Sequence, residues 1–275
     1  MKIFSFLFLF ASFLLYLAAF AAHIISLKNT QADAHRRAAK LMAAAFRVAT
    51  LYFISEALRM ESFLPVFHLA QALAFFAWSI AFVYLFLLAR IQRDSFGLVL
   101  TPLLAILTGS ATLAFQIKAS ASAPYPDSFF IIHIISAFFA YACFTIAFAA
   151  GVLYLIQQHE LKTRRAGTFY HRLPALEPLE KLIFQPMAMG VVLLSAAVIV
   201  GFFWSHAQFG EYWLTDPKTV STLLIIFAYG LILYLRYGLA VRGKRVIVFG
   251  LIAFGLMIFM FVGLRFVSGS HNFLQ

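Results

Sequence analysis

Ser128 to Ile156 reads SFFIIHIISAFFAYACFTIAFAAGVLYLI, a run without Asp, Glu, Lys or Arg and with one histidine, His133. A helix that crosses a hydrocarbon core roughly 30 Å thick needs about 20 mostly apolar residues, and this run exceeds that length. The rest of the chain is built the same way. Hydrophobic residues make up 64% of it, charged residues only 11%, and Phe occurs 34 times. A soluble domain needs more charge than that to cover its surface. Lipid offers the backbone no water, so spanning segments must close their own hydrogen bonds as helices or barrels. No period-two alternation suggests a barrel. The chain therefore reads as all-α, a polytopic transmembrane helical bundle forming a single integral membrane domain over 1–275.

Walking outward gives about eight spans, near 3–26, 41–60, 66–89, 98–117, 128–156, 182–204, 218–240 and 246–267. The first resembles a signal peptide in having Lys2 ahead of it and Ala19, Ala21 and Ala22 near its end. Its apolar stretch is longer than a signal core, so it is expected to be a retained helix.

Basic residues sort by side. Lys28, Arg36, Arg37, Lys40, Arg90, Arg93, Lys162, Arg164, Arg165, Arg172, Lys181, Arg236, Arg242, Lys244 and Arg245 fall on one face. Lys2, Arg59, Lys118, Lys218 and Arg265 fall on the other. The positive-inside rule puts the rich face in the cytoplasm and both termini outside. The net charge of +11 follows from this bias, so contact with membrane lipid accounts for it and nucleic acid is not implied. Cys143 is the single cysteine, which excludes a disulfide within the chain and a Cys-x-x-Cys pair.

One loop on the expected outer side interrupts this apolar pattern: Phe209-Gly210-Glu211-Tyr212-Trp213-Leu214-Thr215-Asp216-Pro217-Lys218. Tyr and Trp favour membrane interfaces, and Asp216-Pro217 has the form of a helix N-cap followed by Pro at N1. If the loop were helical, Phe209, Tyr212, Trp213 and Asp216 would share a face on which a flat ring could lie. Lys218, Arg265, Lys118 or Arg59 could then meet carboxylates.

Histidines on the same expected side complete the picture. His133, a turn and a half into its span, suits either a hydrogen bond to a neighbouring helix or an axial bond to haem iron. His271 in the polar tail reads alone as a solvated terminal histidine and, paired with His133 at the same membrane level, as the second ligand; His68, after Pro65, is a third candidate. Within span two, Glu56 is expected to pair with Arg59 one turn on.

The loop resembles the tryptophan-rich signature of the cytochrome c assembly protein family (CcsA, CcmC and HemX-type membrane proteins), W-G-x-Y-W-x-W-D-P-K-E-T. Gly210, Tyr212, Trp213, Asp216, Pro217 and Lys218 match it. Phe209 and Thr215 stand at two tryptophan positions, and Thr219 stands at the acidic one. His133 and His271 are similar to the family's flanking histidines, and the resemblance covers about 65–275. Where CcsA-type members carry a membrane histidine after the loop, this chain has Arg236, which is always protonated and cannot ligate iron. The Arg242–Arg245 turn is similar to the HemX/YpjD-like branch.

The resemblance implies a haem-binding protein of the bacterial cytoplasmic (inner) membrane that serves c-type cytochrome maturation. It would be an accessory component rather than an enzyme. Non-covalent haem (haem b) would be presented at the outer face, held by His133 and His271 over the platform from Phe209 to Lys218. A CcsB/ResB-like membrane partner and apocytochrome c would act beside it. The alternative is a HemX-like membrane regulator of tetrapyrrole biosynthesis.

Overall fold

In the computed structural model, residues 2–28, 32–88, 95–115, 128–163, 175–210, 212, 216–241 and 243–267 are described. They form eight α-helices: α1 (Lys2–Lys28), α2 (Ala32–Met60), α3 (Leu69–Leu88), α4 (Ser95–Ala114), α5 (Ser128–Thr163), α6 (Leu176–Phe209), α7 (Pro217–Leu233) and α8 (Lys244–Val267). A π-helical turn, Tyr234–Gly238, extends α7. No strand occurs among the described residues. Seven of the helices, α1 to α7, are long and apolar enough to cross a membrane. The chain is a multi-pass membrane protein.

Several helices outrun the expected spans. Helix α2 starts at Ala32 rather than near 41, α5 continues to Thr163, and α6 begins at Leu176. Apolarity marks where hydrocarbon ends, whereas a helix continues as long as its residues favour it, and Ala, Arg, Lys and Glu do so. Helix α3 instead starts late, at Leu69 rather than 66. Glu61 takes a positive φ of 51°, and Pro65 lies in the break that follows. The carbonyl of His68 accepts the first helical bond from Ala72 N, and Oε1 of Gln71 accepts from the backbone N–H of Phe67 and of His68. That is the returning half of a capping box, which leaves His68 at the N-cap and not inside the span.

The chain divides into two compact units. The first holds α1 to α4 and the end of α5 from Gln157. Its seam runs between α1 and α2. Helix α1 buries Ser5, Leu9, Ser12, Tyr16, Ala19, His23 and Ser26, at alternating spacings of four and three. Helix α2 buries Ala38, Met42, Ala45, Ala49, Tyr52 and Glu56 at the same alternation. This heptad stripe of mainly small residues lets two backbones approach closely, which is how helices associate where lipid removes the hydrophobic drive. Ser5 and Ser55 hydrogen-bond across the seam at 2.8 Å.

The second unit holds α5 up to Ile156, α6, α7 with its π turn, and α8. Rings fill its centre. Phe144 of α5 stacks on Tyr229 of α7 at 4.0 Å, and Phe148 stacks on Phe254 of α8 at 4.3 Å. Gly190 of α6 leaves the space that the Phe144 ring occupies.

Candidate functional site

His133 sits on the first turns of α5, against the last turns of α6. Its Nδ1 lies 2.7 Å from the carbonyl oxygen of Ala197. A carbonyl only accepts, so Nδ1 carries the proton and donates, and Nε2 keeps its lone pair. Nε2 makes no hydrogen bond among the described residues. The hydrogen bond to a neighbouring helix is thus present, made by one ring nitrogen, and it leaves the other ring nitrogen uncommitted. Gly201, one turn beyond Ala197, faces the same ring. A Cβ there would sit 2.8 Å from Nδ1.

An aromatic cluster continues from this point toward the end of α6. Phe130, one turn before His133, meets Trp204, one turn after Gly201, with ring centroids 5.3 Å apart. Trp204 in turn meets Phe209 edge-on at 5.8 Å. Sequence reasoning passed over Gly201 and Trp204. The available signal was their spacing: Ala197, Gly201 and Trp204 share one stripe of α6.

The turn after α6 answers the helical reading of the loop. Helix α6 stops at Phe209, Gly210 turns left-handed at φ 73°, and its N–H bonds back to the His206 carbonyl at 2.9 Å. This is an αL helix stop. Phe209, Tyr212 and Asp216 therefore do not share one continuous helical face: Phe209 meets Trp204, whereas Tyr212 stacks on His206 at 4.5 Å. Asp216 is the N-cap of α7 and accepts from Lys218 N at 2.7 Å, with Pro217 at N1, as the sequence predicts. Trp213 and His271 lie outside the described residues, as do Lys118 and the side chain of Arg265.

His68 belongs to the first unit. Its Nδ1 is buried with no hydrogen-bond partner among the described residues. Burial, and then Arg59, push its imidazole below the ordinary histidine value, against the opposing pull of Glu56. Arg59 is paired with Glu56 as expected, through Nε at 2.9 Å and Nη2 at 2.7 Å. Gln71 Nε2 adds a third donor to that carboxylate at 2.8 Å. Two nitrogens of the Arg59 guanidinium, on its Nε/Nη2 edge, are thus already engaged.

Arg236 lies in the π turn, at the opposite end of the second unit from His133. Its Nη2 donates to Glu180 of α6 at 2.5 Å, and its guanidinium carbon stands 5.0 Å above the Phe184 ring. No group of three or more His, Cys, Asp or Glu that could hold a metal ion forms among the described residues. What they do offer is the His133 imidazole, oriented by the Ala197 carbonyl, with the Phe130–Trp204 ring pair one turn away.

Residues 66–271 match the family described as Cytochrome C assembly protein. The chain is 28% identical over 257 residues to the protein HemX of Brevibacillus brevis, covering 90% of this chain and 92% of that one. It is 22% identical over 297 aligned positions to the cytochrome c biogenesis protein CcsA of Porphyra purpurea, covering 94% and 93%. Among solved structures it resembles the cytochrome c heme lyase CcmF, with a TM-score of 0.64 at 16% identity. That likeness, which is one of fold, covers 97% of this chain and 48% of the other, so the chain spans about half that structure's length.

Proposed function

The chain belongs to the cytochrome c assembly protein family, and on that premise we propose that it binds non-covalent haem b at the outer face of a bacterial cytoplasmic membrane and serves c-type cytochrome maturation. The observation that carries this reading is the pairing of His133 Nδ1 with the Ala197 carbonyl, which leaves Nε2 as the donor. A ligating histidine characteristically gives its other N–H to such a carbonyl. Bound haem would supply an iron centre that imidazole nitrogens can ligate.

His133 is one of those ligands and His271 the other. Phe209, Gly210, Tyr212, Trp213, Asp216, Pro217 and Lys218 form the platform beside them. Trp204 and Phe130 extend its wall, and Lys218 meets carboxylates. His68 is a candidate of lower rank, supported by its buried Nδ1. Outside placement of both termini rests on the distribution of basic residues. A CcsB/ResB-like membrane protein and an apocytochrome c are the proposed partners, alongside anionic lipid.

A second reading is a HemX-like regulator of tetrapyrrole synthesis. Two observations favour it: the likeness to HemX along nearly the whole chain, and the engagement of Arg236 by Glu180. Deleting the gene separates the two. Loss of membrane c-type cytochromes supports assembly, whereas altered glutamyl-tRNA reductase levels with normal cytochromes support regulation.

The site itself is tested by the absorption spectrum of detergent-purified protein. A low-spin bis-histidine spectrum is expected, weakened or shifted by His133→Gly and by His271→Gly. An unchanged spectrum in both variants removes the ligand assignment.

A further inference from the structure

We infer that the α6 backbone from Ala197 to Gly201 is a cradle that fixes the tautomer of His133, with Gly201 as its positioning residue. This rests on the reading of His133 as an iron ligand. In an α-helix the carbonyl of Ala197 already accepts the N–H of Gly201, so the imidazole uses its second lone pair. The side chain of residue i+4 stands over the carbonyl of residue i on the helix surface. At Gly201 no side chain stands there, and the ring fills the space. A Cβ at 201 would lie 2.8 Å from Nδ1 and 3.0 Å from Cε1. The same glycine thus exposes the acceptor and makes room for the donor.

The consequence is chemical. With Nδ1–H committed to α6, only Nε2 can bind a metal. A backbone carbonyl on the distal N–H also makes the ring a stronger donor and fixes its plane. Any larger residue at 201 displaces the ring from the carbonyl and releases the tautomer. Losses of such supporting contacts lower metal affinity about 10- to 100-fold, and that is the loss expected for Gly201→Ala toward haem.

Helix α6 supplies a matched control. A Cβ at Gly190 would sit 2.6 Å from the Phe144 ring, a comparable overlap with an aromatic ring that is not a ligand. Gly190→Ala strains the same helix without touching His133.

The test is the ring-nitrogen NMR spectrum of full-length haem-free protein labelled with 15N-histidine, with His133 assigned by its loss in His133→Gln. Wild-type protein is expected to show Nδ1 protonated and Nε2 bare. Gly201→Ala should mix the tautomers or reverse them, while Gly190→Ala keeps the wild-type pattern. A wild-type ring protonated at Nε2 overturns the cradle, with no variant needed. A wild-type tautomer retained in Gly201→Ala overturns the role of that glycine. Haem titration is read separately: a chain with the expected tautomer that takes up no haem sinks the ligand reading while the cradle stands.

Discussion

Arg59 grips Glu56 with two nitrogens, Nε on Oε1 at 2.9 Å and Nη2 on Oε2 at 2.7 Å, and both residues lie on one turn at the end of α2. The Glu56 side chain is 1% exposed and that of Arg59 is 30% exposed. Removing one partner of a buried pair leaves a charge without compensation, at a cost of about 3 kcal/mol or more. Arg59→Ala is therefore expected to lower the melting temperature in detergent more than Glu56→Gln does. The double change Glu56→Gln with Arg59→Gln should recover much of the loss. Equal effects of the two single changes and no recovery in the double variant would contradict this.

Gly210 takes φ 73° with nothing within 4 Å of where a Cβ would stand. The space tolerates alanine but the backbone angle does not. Gly210→Ala should cost about 1 kcal/mol, and Gly210→Asn less, because Asn enters the left-handed region more readily. Thermal unfolding of the three proteins checks the order.

Asp216 caps α7. Replacing it with Ala should cost about 1 kcal/mol, whereas Asp216→Ser keeps a capping oxygen and most of the stability. The pair also separates two roles. If Asp216→Ser retains stability but loses haem, the carboxylate acts on the ligand as well as on the helix.

His68 gives a pH dependence. Its folded pKa lies below the unfolded value of about 6.5, so below that pH the unfolded chain binds more protons than the folded one. The stability contributed by neutral His68 is present above the unfolded pKa and is lost as pH falls through the folded pKa. His68→Gln should flatten that part of the stability profile on the acid side of neutrality. A profile identical to wild type rules out His68 as the source.

How much of this was legible depends on range along the chain. Eight helices followed from apolar length alone, and Asp216-Pro217 announced the start of α7 because a cap and its proline are neighbours. His133 stood out as a histidine with apolar neighbours on both sides, inside a run without charged residues. The seam of α1 and α2 was harder to see, since lipid-facing and partner-facing residues are both apolar there and a hydrophobic stripe has no contrast. Only the small residues Ser5, Ser12, Ala19, Ser26, Ala38, Ala45 and Ala49 mark it. Gly201 and Trp204 share a stripe of α6 that their spacing shows, but its meaning depends on His133 and Phe130, more than sixty residues earlier and on another helix. The Arg236–Glu180 pair is likewise tertiary, and without it the arginine reads only as a missing histidine.

The central claim is that His133 Nε2 binds haem iron. It is tested most directly by electron paramagnetic resonance of the oxidised, detergent-purified protein beside His133→Gly, each with and without added imidazole. The expected result is a low-spin signal in the wild type, its loss or conversion to high spin in the variant, and its return when imidazole fills the space left beside Gly201. The same low-spin signal in His133→Gly without imidazole would contradict the account.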